Sequence, residues 1–173
     1  MQPLNEATIR KDLYIAYVIA TRSNSFLAKA IRWFSAKRSK LDEYDHVVMV
    51  RYGLEAHMTT PRATIRPWEL RPYQDVFMVL EGSQEAWDKA TEIAGNGNGY
   101  GRLQLLSKAF TMLWGWKPFT AKRDCIEFVL ESIITPKPDN ADSVTVGQGV
   151  NLLVEHGFVR YVGSVVNTKE QAT

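Results

Sequence analysis

Residues 46–58 read "HVVMVRYGLEAHM". A run of β-branched and apolar residues, 46–53, meets a shorter extended piece, 54–58, at Tyr52-Gly53, and a turn at that pair folds the second strand against the first. Other strands are expected on either side in the chain. "DLYIAYVIAT" (12–21), "DVFMVLEG" (75–82) and "FVRYVGSVV" (158–166) share the β-branched and aromatic character of buried strands.

Between these runs the apolar spacing changes from strand to helix. In "SNSFLAKAIRWFSAKR" (23–38), Phe26, Leu27, Ala30, Ile31 and Phe34 recur at helical spacing, with Ser25 as a suitable N-cap. "SQEAWDKATEIAG" (83–95) is predicted as a helix with Ser83 as N-cap and Gly95 as its stop. "LQLLSKAFTMLWGW" (103–116), "CIEFVLESI" (125–133) and "VGQGVNLLVEHG" (146–157) complete the helical segments. "TTPRATIRPWELRPYQ" (59–74), with three prolines, is predicted as loop with short extended pieces. Strands and helices alternate irregularly rather than as βαβ units. The expected fold class is therefore α+β, with a mainly antiparallel sheet packed against helices. No repeat or long linker divides residues 1–173, which read as one domain with a polar tail from about 167.

Composition narrows the function. The chain has 173 residues, 45% hydrophobic and 23% charged, ordinary for a globular domain with its own core. A net charge of +2 gives no argument for nucleic acid. The basic residues Lys29, Arg32, Lys37, Arg38 and Lys40 read as the wet face of a helix. One cysteine and three histidines exclude an intramolecular disulfide framework and argue against a zinc cluster. No metal or cofactor is expected. "LYIAYVIA" is too short to span a bilayer, and no secretory leader is visible. A soluble protein made in the cytoplasm is expected.

The single cysteine sits at "RDCIEFV" (123–129). Asp124 and Glu127 form an Asp-x-x-Glu capping box that makes Cys125 the first residue of a helix. Unpaired N–H groups and the positive end of the helix dipole favour an anion there, and a thiolate is one. The backbone N–H of Cys125 is also placed to hold an oxyanion. A lone cysteine is more often a small buried apolar residue than a nucleophile. A thiol nucleophile needs a base, and the candidates are few. His156 is at a helix end, where it compensates the dipole. His46 opens an apolar strand after a polar loop, a place from which it can face a helix start. Glu55 and His57 share one strand face, from which either can orient His46.

These stretches together resemble the circularly permuted papain-like cysteine hydrolases, the NlpC-related branch that includes YiiX-type proteins. The first strand and helix match "DLYIAYVIATRSNSFLAKAIRWFSA", the histidine strand matches "HVVMV", the acidic-Ala pair matches "LEAHM", and the cysteine motif matches "CIEFV". The likeness covers roughly residues 12 to 135. It departs at Ile126, where a small residue is usual, and at Val48, where glycine is usual. It implies a papain-like fold of the permuted NlpC type, with Cys125 as nucleophile, His46 as base and then acid, and Glu55 as orienter. His57 is the reserve orienter, and the Cys125 N–H supplies part of the oxyanion hole. Tyr44 is a candidate for the second oxyanion donor only by its closeness to His46 in sequence. The implied substrate is cell-wall peptide or another amide or ester, in a bacterial or bacteriophage setting. Two alternatives accompany it: a lipid-directed thioesterase or acyltransferase on the same fold, and a catalytically idle module of a virion or envelope assembly.

Two further features stay outside the motif. "GNGNGYG" (95–101) fits no phosphate-binding pattern and reads as a flexible loop able to act as a lid. Trp114, Trp116 and Phe119 read as core or as the lining of a subsite.

Overall fold

The structure is a computed structural model, and it describes residues 6–22, 29, 44–58, 63–71, 73–96, 124–137 and 144–166. Among the described residues six strands form one sheet: β1 (Tyr17–Thr21), β2 (His46–Arg51), β3 (Leu54–His57), β4 (Thr64–Pro67), β5 (Tyr73–Val79) and β6 (Val159–Val166). Their order across the sheet is β4-β3-β2-β1-β5-β6, and every neighbouring pair is antiparallel. The described helices are α1 (Glu6–Lys11), α2 (Ser83–Gly95), α3 (Cys125–Ile133) and α4 (Val146–Glu155). The fold is α+β, as the irregular alternation of segments implies.

The turn at Tyr52-Gly53 closes the β2–β3 hairpin. Both residues have positive φ, 55° and 69°. That is the geometry of a two-residue turn whose twist matches the strands it joins, and glycine at its second position meets no steric penalty. Arg51 then pairs with Leu54, and Val50 with Glu55.

Both faces of the central strands are covered. On one, the α3 face, Val18, Ala20, Val47, Met49, Ala56, Phe77 and Val79 belong to a core cluster with residues of α2, α3 and α4. On the other, the α1 face, Tyr17, Ile19, Val48, Val50 and Val76 belong to a second cluster with Ile9 of α1 and Trp68. Burial on both sides is why β1 and most of β2 read as unbroken apolar runs instead of alternating ones.

Several boundaries differ from the sequence expectation. The strand expected from residue 12 begins at Tyr17. The Asp12 carboxylate accepts bonds from the N–H groups of Tyr14 (2.9 Å) and Ile15 (3.0 Å) and from the Tyr17 hydroxyl (2.7 Å). That turn competes with extended pairing. Gly82, with φ 65°, stands at the N-cap of α2 in place of Ser83, whose hydroxyl donates instead to the Val79 carbonyl at 3.3 Å. The helices expected at 23–38 and 103–116, the glycine loop beyond Asn96, and Trp114, Trp116 and Phe119 lie outside the described residues. Of the basic residues between 29 and 40 only Lys29 is described, and it is exposed.

Candidate functional site

The start of α3 forms as its sequence dictates. Asp124 Oδ1 accepts from the N–H groups of Ile126 (3.0 Å) and Glu127 (2.8 Å), while Glu127 Oε2 accepts from the Asp124 N–H at 2.9 Å. The box is complete. Cys125 is the first helical residue and only 3% exposed. Asp124 thereby engages the N–H groups of Ile126 and Glu127, which removes both as oxyanion donors. The electrostatics are mixed. The helix end favours a thiolate, but the carboxylates of Asp124 and Glu127 oppose it. Lys137 Nζ, 3.1 Å from Glu127 Oε1, offsets one of them.

The departure at Ile126 has a packing explanation. Ile126 is fully buried, and it lies against Gly149 of α4, where any Cβ would collide with its Cγ1. Its bulk therefore fills the α3–α4 contact. Val48 likewise fills the α1-face core beside Ile19 and Trp68.

A second group of polar residues assembles around Glu55, which is completely buried. Its Oε1 accepts from Arg66 Nε at 2.6 Å and from Arg71 at 2.7 Å, and its Oε2 accepts from Arg71 at 3.0 Å. His57 Nδ1 lies 3.2 Å from Oε1, close enough for an ion pair but without the alignment of a hydrogen bond. Burial opposes ionisation of Glu55, but His57, Arg71 and Arg66 outweigh it and hold the carboxyl at about 2. Glu55 is thus a fully neutralised, buried anion, not the exposed acid that its residue type alone suggests.

The ring of His57 lies 4.6 Å from that of His46, centroid to centroid. The order in space is therefore His46, His57, Glu55, with the reserve orienter between the other two. Burial, and then the neighbouring His57 and Arg71, push the His46 imidazole down to about 3. An imidazole this difficult to protonate is a weak acceptor for a thiol proton.

Strand alternation determines which predicted residues meet. His46 pairs with Thr21, and Val50 with Glu55. His46, Val48 and Val50 alternate onto one face, and Glu55 and His57 share it, so all lie on the α1 face. Cys125 belongs to the core cluster of the α3 face. The structure thus brings His46, His57 and Glu55 together and places Cys125 on the other side of the sheet.

Tyr44 lies on the α3 face, edge-on to Phe77 with centroids 6.5 Å apart. Its hydroxyl donates to Asp75 Oδ2 at 2.7 Å. Arg22 also bonds Asp75, at 3.0 Å, and Ser164 makes a short hydrogen bond to Asp75 Oδ1. With its proton engaged by Asp75, the Tyr44 hydroxyl is a poor oxyanion donor. His156 is exposed at the C-cap of α4, as its position in "EHGF" suggests.

Sequence reasoning missed Arg66, Arg71, Thr21 and Gln74. Arg66 was legible in principle, because it pairs directly with Glu55 across β3 and β4. Thr21 and Gln74 carry no motif. They stand beside His46 only because β5, β1 and β2 are neighbours in the sheet.

Comparison with protein-family models, with curated proteins and with solved structures finds no match to the chain. Among the described residues no helix is long and apolar enough to cross a membrane.

Proposed function

We propose that the chain is a cysteine hydrolase of the permuted papain-like, NlpC-related type, acting on an amide or ester, with cell-wall peptide as the substrate class. The observation that carries the reading is Cys125 at the first residue of a boxed helix, in the chain order histidine, acid, cysteine. In the reaction His46 takes the thiol proton and the Cys125 sulfur attacks the carbonyl carbon. The C–N or C–O bond breaks, the leaving amine or alcohol takes the proton from the imidazolium, and an acyl-thioester remains. Water, deprotonated by the same imidazole, attacks that carbonyl; the C–S bond breaks, releasing the acid and the thiol.

This chemistry requires His46 on the α3 face. His46 is the first residue of β2, at the sheet's end, where a slip of one residue turns a side chain to the other face. The resting arrangement, with His46 and Cys125 on opposite faces, favours a second reading: a catalytically idle binding module of a bacterial or phage assembly. The alkylation rate of Cys125 by iodoacetamide against pH, in wild type and His46→Ala, separates them. A thiolate that reacts well below pH 8 and is lost in the variant supports the hydrolase. A thiol whose reactivity ignores His46 supports the idle module. The lipid-directed thioesterase remains a variant of the first reading, recognised by an acyl adduct on Cys125 after incubation with an acyl thioester.

A further inference from the structure

Three cross-strand neighbours on the α1 face carry polar side chains with no hydrogen-bond partner among the described residues. Gln74 pairs with Thr21, and Thr21 with His46, so the three stand side by side across β5, β1 and β2. Side chains directly opposite each other in this way have Cβ atoms about 4.5–5.5 Å apart. Gln74 and Thr21 are each 1% exposed. Both polar atoms of the Gln74 carboxamide, Thr21 Oγ1 and His46 Nε2 are shielded from solvent and unbonded. Val165 pairs with Gln74 and gives the row an apolar end. The next row on this face, Val76, Ile19 and Val48, is an apolar floor.

Buried polar atoms left unbonded cost folding free energy, and native proteins hold few of them. Valine at 21 and leucine at 74 would fill the same row without that cost. Four such atoms in one row call for a ligand that bonds them.

We infer that the Gln74–Thr21–His46 row binds the amide group of a ligand. Gln74 offers a donor and an acceptor side by side. A primary carboxamide presents the complementary edge, and so does a residue of an extended peptide, whose N–H and C=O point the same way. A carboxylate presents only acceptors, and an ammonium only donors. The Thr21 hydroxyl serves either partner, and His46 Nε2 adds a third contact. The neutrality of His46 suits an uncharged ligand. The row shares His46 with the hydrolase reading but lies on the opposite face from Cys125, so binding here does not involve the thiol and persists in Cys125→Ala.

The test is a titration of ¹⁵N-labelled protein followed through the Gln74 side-chain NH₂ resonances and, in every variant, the backbone N–H resonances of positions 21, 46 and 74. Propionamide probes a primary carboxamide, N-acetylglycine N-methylamide probes a peptide, and sodium acetate is the charged control. A saturable shift with propionamide alone assigns a carboxamide ligand, and one with the peptide analogue assigns a backbone. Removing one hydrogen bond should weaken binding about fivefold, as Thr21→Val would, and removing two correspondingly more, as Gln74→Leu would. Cys125→Ala should bind as wild type does. The inference fails if neither amide gives a saturable shift, if acetate binds equally well, or if Thr21→Val leaves the affinity unchanged. Each of these leaves the row to ordered water. Thr21→Val keeps the side-chain shape, so it decides the matter even if Gln74→Leu does not fold.

Discussion

Gly149 of α4 stands where any side chain would collide with Ile126 of α3. Ile126 is fully buried, and the clash falls on its Cγ1 as well as on the end of the side chain. Alanine in a helix normally gains up to about 1 kcal/mol over glycine. Overpacking a well-filled contact costs about 1–3 kcal/mol and should win here. Gly149→Ala is therefore expected to lower the urea midpoint. Adding Ile126→Val should recover part of the loss, giving a coupling of about 1 kcal/mol in a double-mutant cycle. Additive effects would mean the helices do not meet at these residues.

Glu55 holds Arg66, Arg71 and His57 from a completely buried position. Glu55→Gln keeps the shape and removes the charge. The guanidinium groups are then left facing a neutral amide. Removing one partner of a buried ion pair costs about 3–5 kcal/mol, and the low end applies because Arg66 is 41% exposed and partly screened. Chemical denaturation of the variant should show that loss. A change below about 0.5 kcal/mol would mean that the cluster is solvated like a surface pair.

The sheet is largely legible in sequence, and the site only in part. "HVVMVRYGLEAHM" carries its own turn, so the hairpin needs only local information. The Asp124–Glu127 box is local too, and it forms as read. Period-2 alternation by itself puts Glu55 and His57 on one face. What alternation within one strand does not supply is the side of the sheet on which a distant helix packs. That depends on β1, β2 and β5 lying together with apolar residues on both faces, and it separates Cys125 from His46. The row of Thr21, His46 and Gln74 is non-local for the same reason, since its members come from three strands with no shared motif.

Stability should fall steadily as the pH drops below about 6.5. His46 is held at about 3 in the folded protein against an ordinary 6.5, so between those values the unfolded chain binds a proton that the native state does not. Stability therefore rises with pH through this window, by up to about 1.4 kcal/mol per unit, and is complete above 6.5. Glu55, held at about 2 against 4.5, adds a second loss as the pH falls from 4.5. Denaturation midpoints measured from pH 8 to 3 should thus decline, more steeply below 4.5. His46→Gln should flatten the upper part of the curve and leave the lower part. A curve unchanged in that variant would mean that His46 titrates normally.

Asp124 affects Cys125 in two opposing ways, and its replacement by asparagine separates them. Asparagine caps a helix about as well as aspartate, so Asp124→Asn should cost little stability, whereas Asp124→Ala should cost about 0.5–2 kcal/mol. The carboxylate beside the thiol disfavours a thiolate, so removing its charge should lower the pH at which Cys125 is alkylated. Alkylation profiles of the two proteins show the shift directly. A profile identical to wild type would mean that the Asp124 charge is neutralised where it stands.

The opposite-face arrangement of His46 and Cys125 can be trapped chemically. A disulfide needs Cα atoms within about 7 Å and Cβ atoms that point toward each other. His46→Cys in the native background should therefore leave two thiols after mild oxidation, because the sheet lies between positions 46 and 125. Thr21→Cys with His46→Cys, in a Cys125→Ala chain, serves as the contrast: residues 21 and 46 are direct cross-strand partners on one face, and this pair should cross-link. Thiol counting and mass spectrometry of the oxidised proteins distinguish the results. A bond between positions 46 and 125 would place both on the α3 face and supply the Cys–His pair of the hydrolase without rearrangement. If only the 21–46 bond forms, the pair is apart at rest. The hydrolase then has to turn its first β2 residue to reach the thiol, and repeating the oxidation with a peptidoglycan fragment present shows whether substrate makes it do so.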